Sequence, residues 1–249
     1  LPAEVRPLVG EMNGLLTRLS AAWDALTHFT ADAAHELRSP LAALRLQVQG
    51  LQRADTPAAR QTAETRLLAG IDRATRLVEQ LLALARQEGA ARDAPLMDVD
   101  LSALAHAAVA EAAPEAARRG LNLTVDAPAA ARVPGQPDAL AVLLRNLLDN
   151  ALRHTPEGGH VRVNVEPAQA GQGARLSVED SGPGIAPEDR ARVLDRFYRA
   201  PGAPGHGSGL GLAIARAVAE RHGAVIEVGE SAELGGARVG MVFPAIAIK

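Results

Sequence analysis

The stretch Phe29-Thr30-Ala31-Asp32-Ala33-Ala34-His35-Glu36-Leu37-Arg38-Ser39-Pro40-Leu41 sets a histidine, an acid and a hydroxyl within one turn of a segment whose flanks read as helix. Upstream, Leu8, Met12, Leu15, Leu19, Ala22, Leu26 and Phe29 alternate steps of four and three, the heptad seam of a coiled coil. Downstream, Leu37, Leu41, Leu44, Val48 and Leu51 keep the same steps, but Phe29 and Leu37 are joined through Ala33 only by two steps of four. The phase slips at the polar cluster, as at a stutter. His35 and Ser39 are four apart and share a face, while Glu36 lies about 100° round. Neutral imidazole is a nucleophile that can attack phosphorus, and a neighbouring carboxylate can take or hold the other ring proton. Pro40 lacks an N–H and costs about 3 kcal/mol in an ordinary helix interior, so a bend is expected just after His35. By itself the pentad also fits an exposed helix histidine beside a tolerated kink. Ser39 in the fifth position excludes the HExxH zinc pattern.

After Arg53-Ala54-Asp55-Thr56-Pro57 the seam resumes at Leu67, Ile71, Ala74, Val78, Leu81 and Ala85. Residues 8–88 therefore read as a long helix, a turn and a second helix. A lone helical hairpin cannot bury its seam on all sides, whereas two hairpins close a four-helix bundle, so a homodimer is expected. Gly89 to Pro95 is a small-residue linker. Beyond it short β-rich runs alternate with helical patterns: strands at Leu121–Val125, Val161–Val165, Arg175–Glu179, Val225–Val228 and Arg238–Phe243, helices near Leu101–Arg119, Asp138–His154, Pro187–Phe197 and Leu210–His222. The second half is a separate α/β domain.

Three features of that domain carry chemistry. Asn146, Asn150, Arg153 and His154 fall near one stripe of the Asp138–His154 helix. Asn is a poor helix former, and an amide oxygen suits Mg²⁺, which takes water and phosphate oxygens for the rest of its shell; alone, the stripe is better read as a solvated face. Asp180-Ser181-Gly182-Pro183-Gly184-Ile185 follows a strand, with glycines for a tight turn and a carboxylate able to accept from an exocyclic amine such as adenine N6. In isolation it is an ordinary strand-to-loop turn. Gly207-Ser208-Gly209-Leu210-Gly211-Leu212 opens a helix whose free N–H groups and dipole favour phosphate, and it is neither G-x-G-x-x-G nor a Walker A loop. By itself that run fits a flexible loop.

Composition narrows the field. The 249 residues are 47% hydrophobic and only 2% aromatic, ample for a core packed through small and aliphatic side chains. A net charge of −3 offers no basic face for nucleic acid. With no cysteine, disulfides and Cys-based zinc sites are excluded. No apolar run reaches the roughly 18 residues of a membrane span. The chain begins at Leu1 rather than Met, so a fragment lacking its upstream portion is expected.

Taken in order, these motifs resemble those of bacterial sensor histidine kinases. The Phe29–Leu41 stretch resembles their H-box, F-x-x-x-x-x-H-E-L-R-[ST]-P-L; the Asn, Asp-Gly and Gly-rich segments resemble the N, G1 and G2 boxes of the ATP-binding fold shared with gyrase, Hsp90 and mismatch-repair ATPases; and Arg196-Phe197-Tyr198-Arg199 resembles the F-box. The resemblance implies that His35 receives the γ-phosphoryl of ATP, that Glu36 is the general base, and that Arg199 lies near the γ-phosphate. It implies Asn146 and Asn150 at Mg²⁺, Arg153 near the phosphates, and His154 near adenine or ribose, where many relatives carry Tyr. Asp180, Gly182, Gly184 and Ile185 would read adenine; Gly207, Ser208, Gly209, Leu210, Gly211 and Leu212 would line the lid hinge and phosphates, with a mobile ATP lid over 199–209. The family's residue four after the histidine, commonly Thr or Asn, is implicated in orienting water for dephosphorylating the partner, and Ser39 is a shorter, unbranched substitute. Gly135-Gln136-Pro137 stands where Gly-Asp-Pro is common, a change read as structural.

The implied organisation is multidomain. Residues 1–28 resemble the second half of a HAMP relay; an all-α hairpin over 29–88 forms the dimeric four-helix bundle for dimerisation and phosphotransfer; 89–97 is a linker; and 98–249 is a catalytic ATP-binding domain with the α/β two-layer sandwich of the GHKL (Bergerat) fold. The implied partners are a second copy and a response-regulator receiver domain, with no nucleic acid. The membrane enters only through an upstream segment, so this stretch would be the soluble, cytoplasmic portion of an inner-membrane protein. Leu44, Val48 and Leu51 offer part of a docking face for the receiver domain but are better read as dimer seam. A degenerate kinase acting as a dimeric scaffold and a non-kinase ATPase of the same fold remain alternatives.

Overall fold

The computed structural model describes residues 6–88, 95–169, 173–201 and 208–245. The chain divides into two compact units, residues 1–79 and 80–249.

The first unit is helical. Helix α1 (Arg6–Gln52) runs 47 residues and contains Pro40, and helix α2 (Pro57–Glu88) runs 32 residues and ends beyond the unit boundary. Thr56 stops the chain reversal and starts α2: its Oγ1 accepts from Ala59 N at 3.2 Å, and Pro57 follows in the first helical position, where a missing N–H costs nothing. The helices meet where the side-chain ends of Leu44 and Gln47 of α1 lie close against Gly70 of α2. Around that contact Leu37, Leu44, Leu51 and Leu67 are half-buried, whereas Leu41 is 59% and Ile71 45% exposed. One hairpin thus covers only part of its own seam.

The second unit is a two-layer sandwich. Strands β1 (Met97–Asp100) and β3 (Arg132–Gly135) form a small antiparallel sheet; β2 (Asn122–Asp126), β4 (His160–Glu166), β5 (Arg175–Asp180), β6 (Val225–Glu230) and β7 (Ala237–Val242) form a five-stranded sheet in the order β2-β4-β5-β7-β6. Only β2 and β4 run parallel. Helices α3 (Leu101–Arg118), α4 (Pro137–His154) and α5 (Gly211–Arg221) pack on this sheet and on one another. The strand alternation follows the layers: Val161, Val163, Val165, Leu176, Val178, Val239 and Met241 are buried toward the helices, against Leu140, Leu143, Leu144, Leu147 and Leu148 of α4 and Ile214 and Val218 of α5.

Local chemistry sets the helix ends. Asp100 caps α3, its carboxylate accepting from Ser102 N at 3.0 Å. Gln136 precedes α4 without a side-chain cap, and its backbone N–H instead donates to Nε2 of the buried His222 at 3.0 Å. The other ring nitrogen of His222 lies 2.7 Å from the Val218 carbonyl, so His222 is the Nδ1–H tautomer and ties the end of α5 to the start of α4. The altered Gly135-Gln136-Pro137 segment is thus held through its backbone.

One expectation is corrected and two strands are added. The Pro187–Phe197 segment is not a helix: it is a run of turns with a single 3₁₀ turn at Arg192–Leu194, built on three-residue bonds such as Asp189 N to Ala186 O at 2.9 Å and Arg192 N to Asp189 O at 2.9 Å. The Arg190 Nε–H reaches back to the Ile185 carbonyl at 3.1 Å and Phe197 has φ 60, a backbone state that ends any helix. β1 and β3 were not anticipated.

Candidate functional site

In the second unit a cavity of about 360 Å³ opens between α4, the turn after β5, the 3₁₀ turn and the start of α5. Asn146, Asn150, Arg153 and His154 of α4 line it, with Asp180, Gly184 and Ile185 from the turn, Arg199 after the 3₁₀ turn, and Ser208, Gly209, Gly211 and Leu212 at the α5 start. Four segments read separately along the chain therefore converge on one space. Gly182 and Leu210 do not line it: Gly182 acts through its N–H, and Leu210 is fully buried beneath the α5 start. Gly207, like most of the 199–209 lid segment, lies outside the described residues, as do residues 89–94 of the linker and 1–5 of the HAMP-like lead.

Asp180 sits at the end of β5 on the helix-facing side, 4% exposed. Its Oδ1 accepts from Gly182 N at 2.8 Å and Ala237 N at 3.1 Å. Burial pushes this carboxyl above the ordinary carboxylate value, opposed by those two N–H donors and by His154. With Oδ1 doubly occupied, Oδ2 is the oxygen available to an exocyclic amine.

His154 ends α4 and its pKa is lowered, first by burial and then by Arg153, with Arg199 and Arg119 adding to the fall and Asp180 opposing it. A neutral imidazole therefore faces the cavity. Arg119 secures this helix end by donating to the carbonyls of Leu152 and Arg153. Asn146 is buried, and its Nδ2 donates to Val142 O at 2.8 Å, leaving Oδ1 beside the close approach of Gly211. Asn150, one turn on, is half-buried at the cavity wall.

At the opposite end α5 starts without a side-chain cap, so its first-turn N–H groups remain available to an anion. The Ser208 Oγ accepts from Leu210 N at 3.2 Å, and Phe197 N donates to Gly209 O at 3.0 Å, which joins the F-box segment to the α5 start. Tyr198 lines the cavity with its hydroxyl on Asp189 and its ring 4.2 Å from the Arg192 guanidinium.

Residues that sequence reasoning missed include Asp149, Asp189, Val193 and Ala237 in the wall, and Gly236, where a Cβ would sit 2.6 Å from Gly182 N and overlap the Asp180 carbonyl. The paired glycines before β7 were the available signal. On α1, in the other unit, His35 and Ser39 are exposed and Leu37 and Pro40 half-buried; the side chain of Glu36 lies outside what is described.

Residues 25–90 match the His Kinase A (phospho-acceptor) domain, and residues 135–246 match the Histidine kinase-, DNA gyrase B-, and HSP90-like ATPase family. A solved mycobacterial sensor histidine kinase, MprB, is 31% identical with a TM-score of 0.53, covering 59% of this chain and 97% of that one. The chain belongs to the bacterial two-component sensor histidine kinases. Sensor protein QseC of Escherichia coli K12 is 43% identical over 239 residues, 95% of this chain and 51% of QseC, and sensor protein kinase PmrB of Pseudomonas aeruginosa is 38% identical over 98% of this chain and 51% of PmrB. The chain thus spans about half the length of these curated relatives. The Acinetobacter baumannii histidine kinase AdeS, at 23% identity and TM-score 0.65 over 84% of this chain and 97% of that one, shares the fold. This chain therefore joins a phospho-acceptor hairpin domain to an ATPase-type sandwich, and the family of the second domain supports the use of ATP. Among the described residues no helix is long and apolar enough to cross a membrane.

Proposed function

We propose that this chain is the cytoplasmic catalytic region of a membrane sensor kinase that phosphorylates itself on His35 and passes the phosphoryl group to a response-regulator aspartate. The observation that carries this reading is the convergence of Asn150, Asp180, Arg199 and the α5 start on one cavity, in a chain that also bears the exposed His35. Adenine would lie at Asp180, its exocyclic amine donating to Oδ2, with the phosphates toward Arg199 and the α5 N-terminus.

The amide oxygens of Asn146 and Asn150 would hold Mg²⁺. Two amide oxygens leave most of an ion's shell to phosphate and water, the coordination that suits Mg²⁺. When bound, it supplies charge neutralisation on the phosphates. In the reaction a His35 ring nitrogen forms a bond to the γ-phosphorus as the bond to the bridging oxygen breaks and ADP leaves; Glu36 holds or takes the ring proton. Ser39, exposed four residues on, would orient water for any reverse dephosphorylation of the regulator.

The domain limits 1–28, 29–88, 89–97 and 98–249 and a homodimer through the hairpins belong to the same proposal. Exposed Leu41, Val48, Ile71 and Val78 along the hairpin support the dimer, since a second copy would bury them. Asn150→Ala is expected to abolish ATP-dependent labelling while the protein stays dimeric in sedimentation; unchanged labelling would refute the role given to α4.

A further inference from the structure

Glu179 precedes Asp180 on β5, so alternation sends the two side chains to opposite faces: Asp180 toward the cavity and Glu179 to the face away from the helices. Glu179 is nevertheless only 9% exposed. Its Oε2 accepts from Ser231 Oγ at 2.6 Å, its Oε1 from Asn164 Nδ2 at 3.2 Å, and Arg238 Nε lies 3.4 Å from Oε1. The role read for the cavity uses none of these groups.

Ser231, 1% exposed, is the pivot of the turn between β6 and β7. Its Oγ accepts from Leu234 N at 3.1 Å, its N–H donates to Gly236 O at 2.8 Å, and its carbonyl accepts from Gly235 N at 2.9 Å. Arg162 of β4 grips the same turn through Glu233. The turn delivers Gly236 against the Asp180 backbone with no space for a Cβ, and Ala237 N to Asp180 Oδ1 at 3.1 Å. One of the two donors that orient the Asp180 carboxylate thus comes from a turn whose geometry is set through β5 from its far side.

We propose that Glu179 and Ser231 are positioning residues for purine recognition: the Glu179–Ser231 hydrogen bond sets the β6–β7 turn, and so fixes the Asp180 carboxylate in the orientation that selects an exocyclic amine. The proposal rests on Asp180 reading adenine. Loss of the charge-assisted bond in Ser231→Ala frees the turn and lets Ala237 N drift from Oδ1. The carboxylate then rotates, and its preference for an amino purine falls while contacts to ribose and phosphates remain.

The test is equilibrium displacement of a fluorescent nucleotide by Mg·ATP and by purine riboside triphosphate, which lacks the amine, in the 249-residue chain carrying His35→Gln so that no phosphoryl moves. Ser231→Ala is expected to cut the ratio of the two affinities by about tenfold, mostly by weakening ATP, with a smaller cut in the shape-preserving Glu179→Gln. Equal weakening of both nucleotides, or an unchanged ratio in both variants while Asp180→Asn lowers it, overturns the positioning role alone. An unchanged ratio in Asp180→Asn overturns the adenine reading beneath it.

Discussion

Replacing His222 by Leu removes the acceptor of the Gln136 N–H at the start of α4, in a site only 4% exposed. The Val218 carbonyl still accepts from the His222 backbone N–H at 3.2 Å, so a single donor is orphaned, at a cost of about 1–3 kcal/mol. For a domain of this size that is roughly a 4–8 °C fall in Tm at the middle of the range. The perturbation also has a pH signature. Burial first, then the charge of Arg221, lower the His222 pKa against the raising effect of the Val218 carbonyl. The unfolded chain therefore takes up the proton first. Stability is full above about pH 6.5 and is lost as pH falls toward the lowered folded value, at up to about 1.4 kcal/mol per pH unit. Thermal melts of wild type, His222→Leu and His222→Gln between pH 8 and 5 would read this. Both variants should lose part of the acid slope, with Gln, which can bridge the same two groups, recovering part of the Tm at pH 8. The half-buried His154, also lowered, supplies a remaining slope. A His222→Leu protein with wild-type Tm and an unaltered acid slope would refute the tie between α5 and α4.

Other perturbations follow from the same geometry. Leu148→Ala, at a fully buried α4 position, should cost about 2–5 kcal/mol and lower the Tm of the second unit in calorimetry. Gly236→Ala should weaken Mg·ATP binding at least tenfold in calorimetric titration, because the new Cβ displaces the Asp180 backbone and carboxylate. Thr56→Ala should cost about 1 kcal/mol by removing the α2 cap, read as a lower hairpin melting temperature with ATP affinity unchanged.

The helices α3, α4 and α5 and all five strands of the main sheet were legible because each has a clean apolar period and a turn signal at its ends. β1 and β3 were not, since four residues such as Arg132-Val-Pro-Gly135 contain more breaker than strand signal and form only because Met97–Asp100 lies alongside. The Pro187 to Phe197 stretch carried Pro and acids where a helix starts, yet the side chains of Arg190 and Asp189 bond to Ile185 and Tyr198, contacts that a local pattern does not foresee. In the cavity, the contiguous boxes on α4, after β5 and before α5 were readable as motifs. Gly236 and Ala237 lie more than fifty residues from Asp180, and only the β5–β7 pairing makes them neighbours. The Glu179 network was invisible for the same reason: its partners come from β4, β7 and the β6–β7 turn.

Transfer of the γ-phosphoryl of ATP to His35 is tested most directly by incubating the chain with γ-labelled Mg·ATP and locating the label. The label is expected to survive base, to be released by acid, to map to the peptide containing His35 and to vanish in His35→Gln. A label that is acid-stable, or that persists undiminished in His35→Gln, would contradict it.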